Sequence, residues 1–185
     1  MALTKGAPLP YGDIIMGKVE TIRRLWAFEQ KTFDAFERSV ERWGWSSATE
    51  NHEIAHLTLK DTLVHILNAT EAWLVAAAQD RWEVFDAPKR RPQDIRSFRD
   101  LRAYRGRVFT PITELTRGLT DRALERRVKV PWMPGRYTLE DGYFQAAFEQ
   151  AHHLGEIIAV YWQHDRTPPQ MMWVPTLTGS KVSVR

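Results

Sequence analysis

The stretch from Gly12 to Trp43, GDIIMGKVETIRRLWAFEQKTFDAFERSVERW, indicates the fold class. Its large apolar residues recur at alternating steps of four and three, the spacing of a helix that buries one seam inside a bundle. The next residue, Gly44, is a typical helix stop. The residues of the predicted seam are Ile15, Val19, Ile22, Trp26, Phe33, Phe36, Val40 and Trp43.

One position of this seam carries a carboxylate. Glu29 falls between Trp26 and Phe33, where the spacing calls for an apolar side chain. Its carboxyl either faces the bundle interior, where it would serve as a general base or orient a ligand, or lies at a locally rotated edge of the helix. The sequence leaves both interpretations open.

Three further segments have helical apolar spacing. They run from Thr58 to about Gln79, from about Ile95 to Gly118 with Pro111 inside, and from Thr138 to His164. Thr58 with Asp61 and Thr138 with Asp141 have the spacing of capped helix starts. Residues 44–57 are predicted as a loop, and the connection over 120–137 as a short strand pair turning at Pro134-Gly135. We therefore expect an all-α four-helix bundle with long crossover connections.

Composition limits the class of protein. The 185 residues suit one domain over 1–185, with a core over about 12–169 and a loosely held tail over about 173–185. The chain has no cysteine, which excludes disulfides and thiolate ligands. Its basic residues are interspersed with acidic ones, and its start lacks the pattern of a secretory leader. We expect a cytoplasmic protein that binds neither nucleic acid nor membranes.

Glu149 and His153 form the pair with the clearest chemistry. They are four residues apart on the fourth helix, so both side chains lie on one helix face. His65 on the second helix completes a set of two imidazoles and a carboxylate if the two helices face each other. Such a set suits Zn²⁺, Fe²⁺, Mn²⁺ or Ni²⁺ and leaves coordination positions open. The alternative is a polar core network in which these groups satisfy one another.

Two motifs resemble those of a known family. TLKDTLVHILNATEAWL at 58–74 is similar to the segment that carries a metal-binding histidine in the DinB/YfiT-like superfamily, and EQAHHLGEI at 149–157 resembles its His-His-Arg-Gly-Gln signature. The resemblance spans about residues 12–169. It implies a bundle that is often dimeric, with a metal held at positions 65, 149 and 153. The chain departs from the family at position 149, which is Glu instead of His.

The resemblance implies two kinds of function. One is a metal-dependent enzyme acting on a small molecule, either a thiol S-transferase that uses a low-molecular-weight thiol or a hydrolase that activates water. The metal ligands would be His65, Glu149 and His153, with Glu29 in a catalytic role. The other is a non-catalytic, stress-associated bundle that binds a metal or small ligand, a hypothesis favoured by Glu149. A homodimer is expected in either case.

Overall fold

The computed structural model describes residues 17–76 and 92–173, and these residues form a helical bundle. The four long helices are α1 (Lys18–Trp43), α3 (Leu59–Thr70), α4 (Phe98–Arg117) and α6 (Leu139–Gln163). Two short helices, α2 (Trp45–Thr49) and α5 (Asp121–Leu124), lie in connections. The chain continues α3 as a π-helical segment over Glu71–Ala76, and a 3₁₀ turn covers Pro92–Asp94.

The contacts between helices give their directions. α1 and α6 run parallel, because Lys18 pairs with Glu140 near both helix starts and Tyr161 donates to Ser39 near both ends, at 2.8 Å. α4 runs antiparallel to α1, since Arg102 at its start pairs with Glu41. α3 runs antiparallel to α6. The rings of His65 and His153 are in contact, and the π-helical segment that follows α3 approaches the start of α6. The four directions are therefore up, down, down and up.

The predicted seam of α1 is confirmed within the described residues. Ile22, Phe33, Phe36 and Val40 are fully buried, and Trp26 contacts the ring of Phe109 edge-on, at 5.0 Å between centroids. Facing apolar residues of the other long helices complete one continuous core. At about 25 cal/mol per Å² of buried apolar surface, these large side chains provide the main stabilisation of the bundle. The seam positions before residue 17 lie outside the described residues.

The predicted helix starts at Thr58 and Thr138 are also confirmed. The Thr58 hydroxyl accepts from the Asp61 amide at 2.9 Å, and Thr138 and Asp141 form a reciprocal capping box. These bonds satisfy amides that a helix start leaves without partners. The third long helix begins at Phe98 with Ser97 as its cap, three residues after the predicted start, and continues through Pro111.

Two connections can be compared with their predictions. The predicted strand pair is present as β1 (Arg127–Val128) and β2 (Tyr137–Thr138), antiparallel on either side of Pro134-Gly135. The prediction of a loop over residues 44–57 was wrong in part, because α2 occupies Trp45–Thr49 and buries Ala48 in the core. The predicted end of the second helix near Gln79 and the tail beyond residue 173 lie outside the described residues.

Among the described helices, none is both long and apolar enough to cross a membrane.

Candidate metal centre

His65 lies seven residues after the capped start of α3, on the side of the helix that faces α6. The ring is half-buried. Burial, followed by the charges of the neighbouring His56 and His153, lowers the pKa of His65 to about 4. The imidazole is therefore neutral at pH 7, which is the form that binds a metal ion.

His153 meets His65 from the facing helix. Its side chain is buried, and the two ring centroids are 4.5 Å apart. On one side of the ring, Nδ1 lies 2.9 Å from Glu156 Oε2. On the other side, Nε2 lies 3.6 Å from Glu149 Oε2. A carboxylate that accepts from Nδ1–H fixes the tautomer and leaves Nε2 free as a ligand atom.

The third imidazole belongs to His56, which the sequence analysis did not select. The ring of His56 stacks on that of His65 at 3.9 Å between centroids and lies 4.9 Å from the ring of His153. Burial, followed by the charge of His153, lowers the pKa of His56. One ligand atom from each of the three histidines lies within 4.8 Å of the other two. The side chains thus form a three-histidine cluster.

The loop that carries His56 is held in a defined conformation. The His52 amide donates to the Leu57 carbonyl at 2.7 Å, and the Glu53 amide donates to Asn51 Oδ1 at 2.9 Å. Glu53 and Leu57 have positive φ angles of 58° and 66°, which L-residues rarely adopt. Backbone strain of this kind occurs often at functional sites, where the surrounding structure enforces it.

The donor set fits a divalent transition metal. Three imidazoles with an adjacent carboxylate suit Zn²⁺, Ni²⁺, Fe²⁺ or Mn²⁺, whereas a magnesium or calcium site would present mainly oxygen atoms. The lowered pKa values of His56 and His65 mean that few protons must leave before an ion binds. A second group, formed by His152, His153 and Glu156, shares His153 with the three-histidine cluster.

His65 and Glu149 line a groove of about 380 Å³ that lies between α3, α6 and the segment joining β1 to β2. Ala69 and Ala72 leave room along its floor, and the rings of Trp73 and Trp132 meet edge-on at 5.7 Å to form an aromatic wall. The groove is therefore largely apolar, with polar groups near the histidines. Its described lining comprises His65, Asn68, Ala69, Ala72, Trp73, Trp132 and Glu149.

A buried tyrosine supports the floor of this groove. The hydroxyl of Tyr104 in α4 donates to Asn68 Oδ1 and lies 3.0 Å from Glu71 Oε2. These contacts connect α4 to α3 at the point where α3 changes to a π-helix. Such π-helical turns are rare and are found disproportionately at functional sites.

The structure brings His65 and His153 into contact and places Glu149 beside His153, outside the three-histidine cluster. His65 and Glu149 both line the groove, and Glu149 approaches His153, while Gln145 donates to Glu149 Oε1 at 3.1 Å. Their role as metal ligands stays a prediction. His56 joins them from a loop, where no periodicity pointed to it. One clue was available, since Thr58 and His65 are seven residues apart and share a helix face, so a residue just before the cap lies over that face.

Glu29 is an interior carboxylate, as one of the two interpretations required. It is 6% exposed, and its backbone carbonyl accepts from Gln150 Nε2 at 3.0 Å, which places it opposite α6. Burial raises the pKa of Glu29 to about 8, so the carboxyl is mostly protonated at pH 7. Glu29 is not one of the clustered ligand groups within the described residues. Its catalytic role stays a prediction.

Two other histidines, His52 and His164, lie away from the cluster. The ring of His164 contacts those of Trp43 and His52, at 5.1 and 5.5 Å between centroids, beyond the end of α6. His164 is eleven residues beyond His153, or about 16 Å of helix, which is too far for the two imidazoles to share an ion. His152 is exposed on α6, and its ring centroid lies 4.8 Å from that of His153.

Comparison with known proteins identifies the family. The model of the DinB superfamily matches residues 27–157, which include the three histidines, Glu149 and parts of all four long helices. A search among curated proteins found no significant match. The match covers more than half of the chain and agrees with the helical architecture and the histidine cluster, and on this basis the chain belongs to the DinB superfamily.

Proposed function

We propose that the protein is a metal-dependent enzyme whose divalent ion is held by His56, His65 and His153, with Glu149 beside it. The observation that carries the proposal is the convergence of three imidazoles within 4.8 Å of one another, one of which, His65, lines an open groove. Three protein ligands with an open position are typical of catalytic sites, whereas structural sites are usually closed by four. The groove gives a small molecule access to that position.

The surrounding residues have separate tasks in this proposal. Glu156 orients His153 through Nδ1, and Gln145 orients Glu149 through its Oε1 atom. Glu149 Oε2 lies next to the histidines on the groove side, where it can accept the proton of a bound thiol or water. A divalent metal at this position would lower the pKa of that thiol or water and so supply a nucleophile at neutral pH.

Thiol S-transfer is the reaction that the family resemblance supports. A low-molecular-weight thiol would lie along the groove, with its apolar parts against Trp73 and Trp132. The thiol proton passes to Glu149, the sulfur bonds to an electrophilic carbon of the second substrate, and the leaving group departs with the electrons of the broken bond. Hydrolysis would use the same residues, with water in place of the thiol.

The departure at position 149 favours a second candidate function. Glu149 stands where the family resemblance implies a histidine, so the chain departs from the family pattern in one of the groups that would hold the ion. A non-catalytic, stress-associated bundle that binds a metal or a small ligand would keep the cluster and the groove without turnover. Metal analysis and activity assays together separate the two functions.

The metal site is tested by elemental mass spectrometry on protein purified without a histidine tag. We expect near-stoichiometric metal in the wild type and in the exposed control His164→Ala, and at least about a tenfold loss of affinity in His56→Ala, His65→Ala and His153→Ala. Loss of metal in Glu149→Ala with full retention in His56→Ala would replace His56 by Glu149 in the ligand set. Wild-type protein that takes up no Zn²⁺, Ni²⁺, Fe²⁺ or Mn²⁺ would refute the metal site.

Catalysis is tested on metal-loaded protein with a panel of low-molecular-weight thiols and an aryl halide electrophile. Thiol-dependent product formation that is lost in Glu149→Gln, with metal content retained, would support the enzyme and the role of Glu149 as proton acceptor. Stoichiometric metal without turnover of any thiol or ester in the panel would favour the non-catalytic function.

A further inference from the structure

A second cavity, the arginine pocket, lies near the C-terminal end of α1. It has a volume of about 350 Å³ and is lined by α1 on one side and by the segment that follows α6 on the other. The segment contributes Thr167 and the pair Pro168-Pro169, whose fixed φ angles limit the movement of this wall. The α1 side chains come from one helix face and belong to Ala35, Arg38, Ser39 and Arg42.

A tight turn after α6 brings the segment back over α1. The Arg166 amide donates to the Tyr161 carbonyl at 2.8 Å, and Asp165 has a positive φ of 52°, which is uncommon for a residue other than glycine. The guanidinium of Arg166 then lies 4.4 Å from the centroid of the Trp43 ring. These contacts at the start of the segment hold Thr167 opposite α1.

The polar side chains that line the arginine pocket are all hydrogen-bond donors. They comprise two guanidiniums and two hydroxyls, and the described lining includes no carboxylate. Arg38 pairs with Asp34 outside the lining, but Asp34 also pairs with Arg105. One carboxylate is therefore shared by two cations, which leaves positive charge at this end of α1.

Two further guanidiniums add to this charge. Within the part of the chain that the structure describes, neither Arg42 nor Arg166 forms an ion pair, not even with the neighbouring Asp165. Like charges that lie close together repel each other, and an anion bound between them would reverse the sign of that energy. The charge distribution therefore favours an anionic ligand.

Ser39 provides a buried donor at the floor of the pocket. It is 9% exposed, and its Oγ accepts from the Tyr161 hydroxyl at 2.8 Å. A hydroxyl that accepts a hydrogen bond still has its own proton to donate, and none of the described residues accepts that proton. Burial raises the pKa of Tyr161, whereas the bond to Ser39 and the charges of Arg42 and Arg166 oppose the rise, so both guanidiniums lie close to this floor.

We propose that the arginine pocket binds a phosphate dianion, either free or as the phosphoryl group of a small phosphate monoester. A phosphoryl group carries a charge of about −1.5 to −2 at pH 7 and three strong acceptor oxygens. Arg38 and Arg42 supply charge-assisted hydrogen bonds from α1, and the hydroxyls of Ser39 and Thr167 donate to the remaining acceptor positions. A carboxylate has one charge and two oxygens, so it would leave part of this donor set unused.

The arginine pocket is separate from the candidate metal centre. Tyr161 at its floor is eight residues beyond His153, or about 12 Å of helix. None of its described lining residues belongs to the three-histidine cluster or to the groove that His65 and Glu149 line. Phosphate binding can therefore be tested whether or not the chain holds a metal ion.

The test is a calorimetric titration of the full chain at low ionic strength with ribose 5-phosphate, inorganic phosphate and acetate. We expect ribose 5-phosphate to bind with a dissociation constant of about 1 mM or lower, and acetate to bind at least about tenfold more weakly. In amide NMR spectra, the shifts caused by ribose 5-phosphate should be concentrated at Ser39, Arg42 and Thr167 and should be small at His65 and His153.

Substitutions determine whether the pocket is the binding site. Arg42→Gln should raise the dissociation constant at least about tenfold, and Thr167→Val should raise it by about twofold to fivefold. The control Arg99→Gln removes the same charge from an exposed position at the start of α4 and should change the constant less than about twofold. Since Arg42 and Thr167 form no hydrogen bond to described residues, circular dichroism and metal content should stay at the wild-type level.

Three results would overturn the proposal. They are the absence of binding at about 10 mM ribose 5-phosphate, equal weakening by Arg42→Gln and Arg99→Gln, and binding of acetate as tight as that of phosphate. The two phosphate ligands distinguish the source of the phosphoryl group. Tighter binding of ribose 5-phosphate would support a monoester as the ligand, and equal or tighter binding of inorganic phosphate would support free phosphate.

Discussion

Replacing Glu29 by Gln should stabilise the protein in a way that depends on pH. The carboxyl is 6% exposed, and burial raises its pKa from 4.5 to about 8. Between these two values the folded chain retains a proton that the unfolded chain releases. The free energy of unfolding of the wild type therefore falls as the pH rises from about 4.5 to 8. Glutamine resembles the protonated carboxyl in shape but cannot ionise.

The magnitude follows from the two pKa values. Each pKa unit corresponds to about 1.4 kcal/mol. The ionisation of Glu29 therefore makes the free energy of unfolding of the wild type about 3 kcal/mol lower at pH 7 than at pH 4.5. The loss grows toward about 4 to 5 kcal/mol above pH 8. We expect Glu29→Gln to match the wild type near pH 5 and to exceed its unfolding free energy by about 3 kcal/mol at pH 7.

The assay is urea unfolding of both proteins between pH 5 and 8.5, with a chelator present to exclude effects of bound metal. Glu114→Gln, at an exposed position of α4, serves as the control and should differ little from the wild type at any pH. The reasoning is refuted if the difference between Glu29→Gln and the wild type is constant with pH. It is equally refuted if the wild type becomes the more stable protein at pH 8.

Two further substitutions test the packing around the bundle. Arg105→Ala should lower the free energy of unfolding by about 2 to 4 kcal/mol in urea, because Arg105 on α4 is the ion-pair partner of the buried Glu37 carboxylate on α1. The control Arg102→Ala removes an exposed ion pair and should have little effect. Gly142→Ala should cost about 1 kcal/mol or more and perturb Trp73 fluorescence, since its Cβ would lie 3.3 Å from the Trp73 carbonyl oxygen. Unchanged stability in either case would contradict the packing described here.

The features that the sequence predicts well are those with a period or a local chemical pattern. The α1 seam was predictable because helical spacing reports burial directly, and Thr58 and Thr138 were predictable because a cap needs only residues three positions apart. The approach of His65 to His153 followed from the family motifs together with a bundle in which the two helices face each other. The deviation of Glu149 from the family pattern was visible from the sequence as well.

The missed features depend on tertiary contacts. His56 lies on a loop whose course is set by positive φ angles at Glu53 and Leu57, which no periodic pattern reveals. The helix α2 has five residues, too few to show a period, and it is stabilised by the burial of Ala48. The exposed aromatic residues of α6, Phe144, Phe148 and Trp162, were missed for a different reason, because a helix with two apolar faces looks like an ordinary buried helix until the bundle is known.

The π-helical segment over Glu71–Ala76 determines which side chain reaches the groove. In an uninterrupted α-helix, each step of four residues turns the chain about 40° past a full circle, so Trp73 would lie about 40° around the helix from Ala69. A π turn holds about one more residue, which cancels this drift and keeps Trp73 in line with His65 and Ala69. The turn acts as a one-residue insertion. Deleting a single residue from this segment should therefore swing the indole out of the groove while leaving the histidines in place.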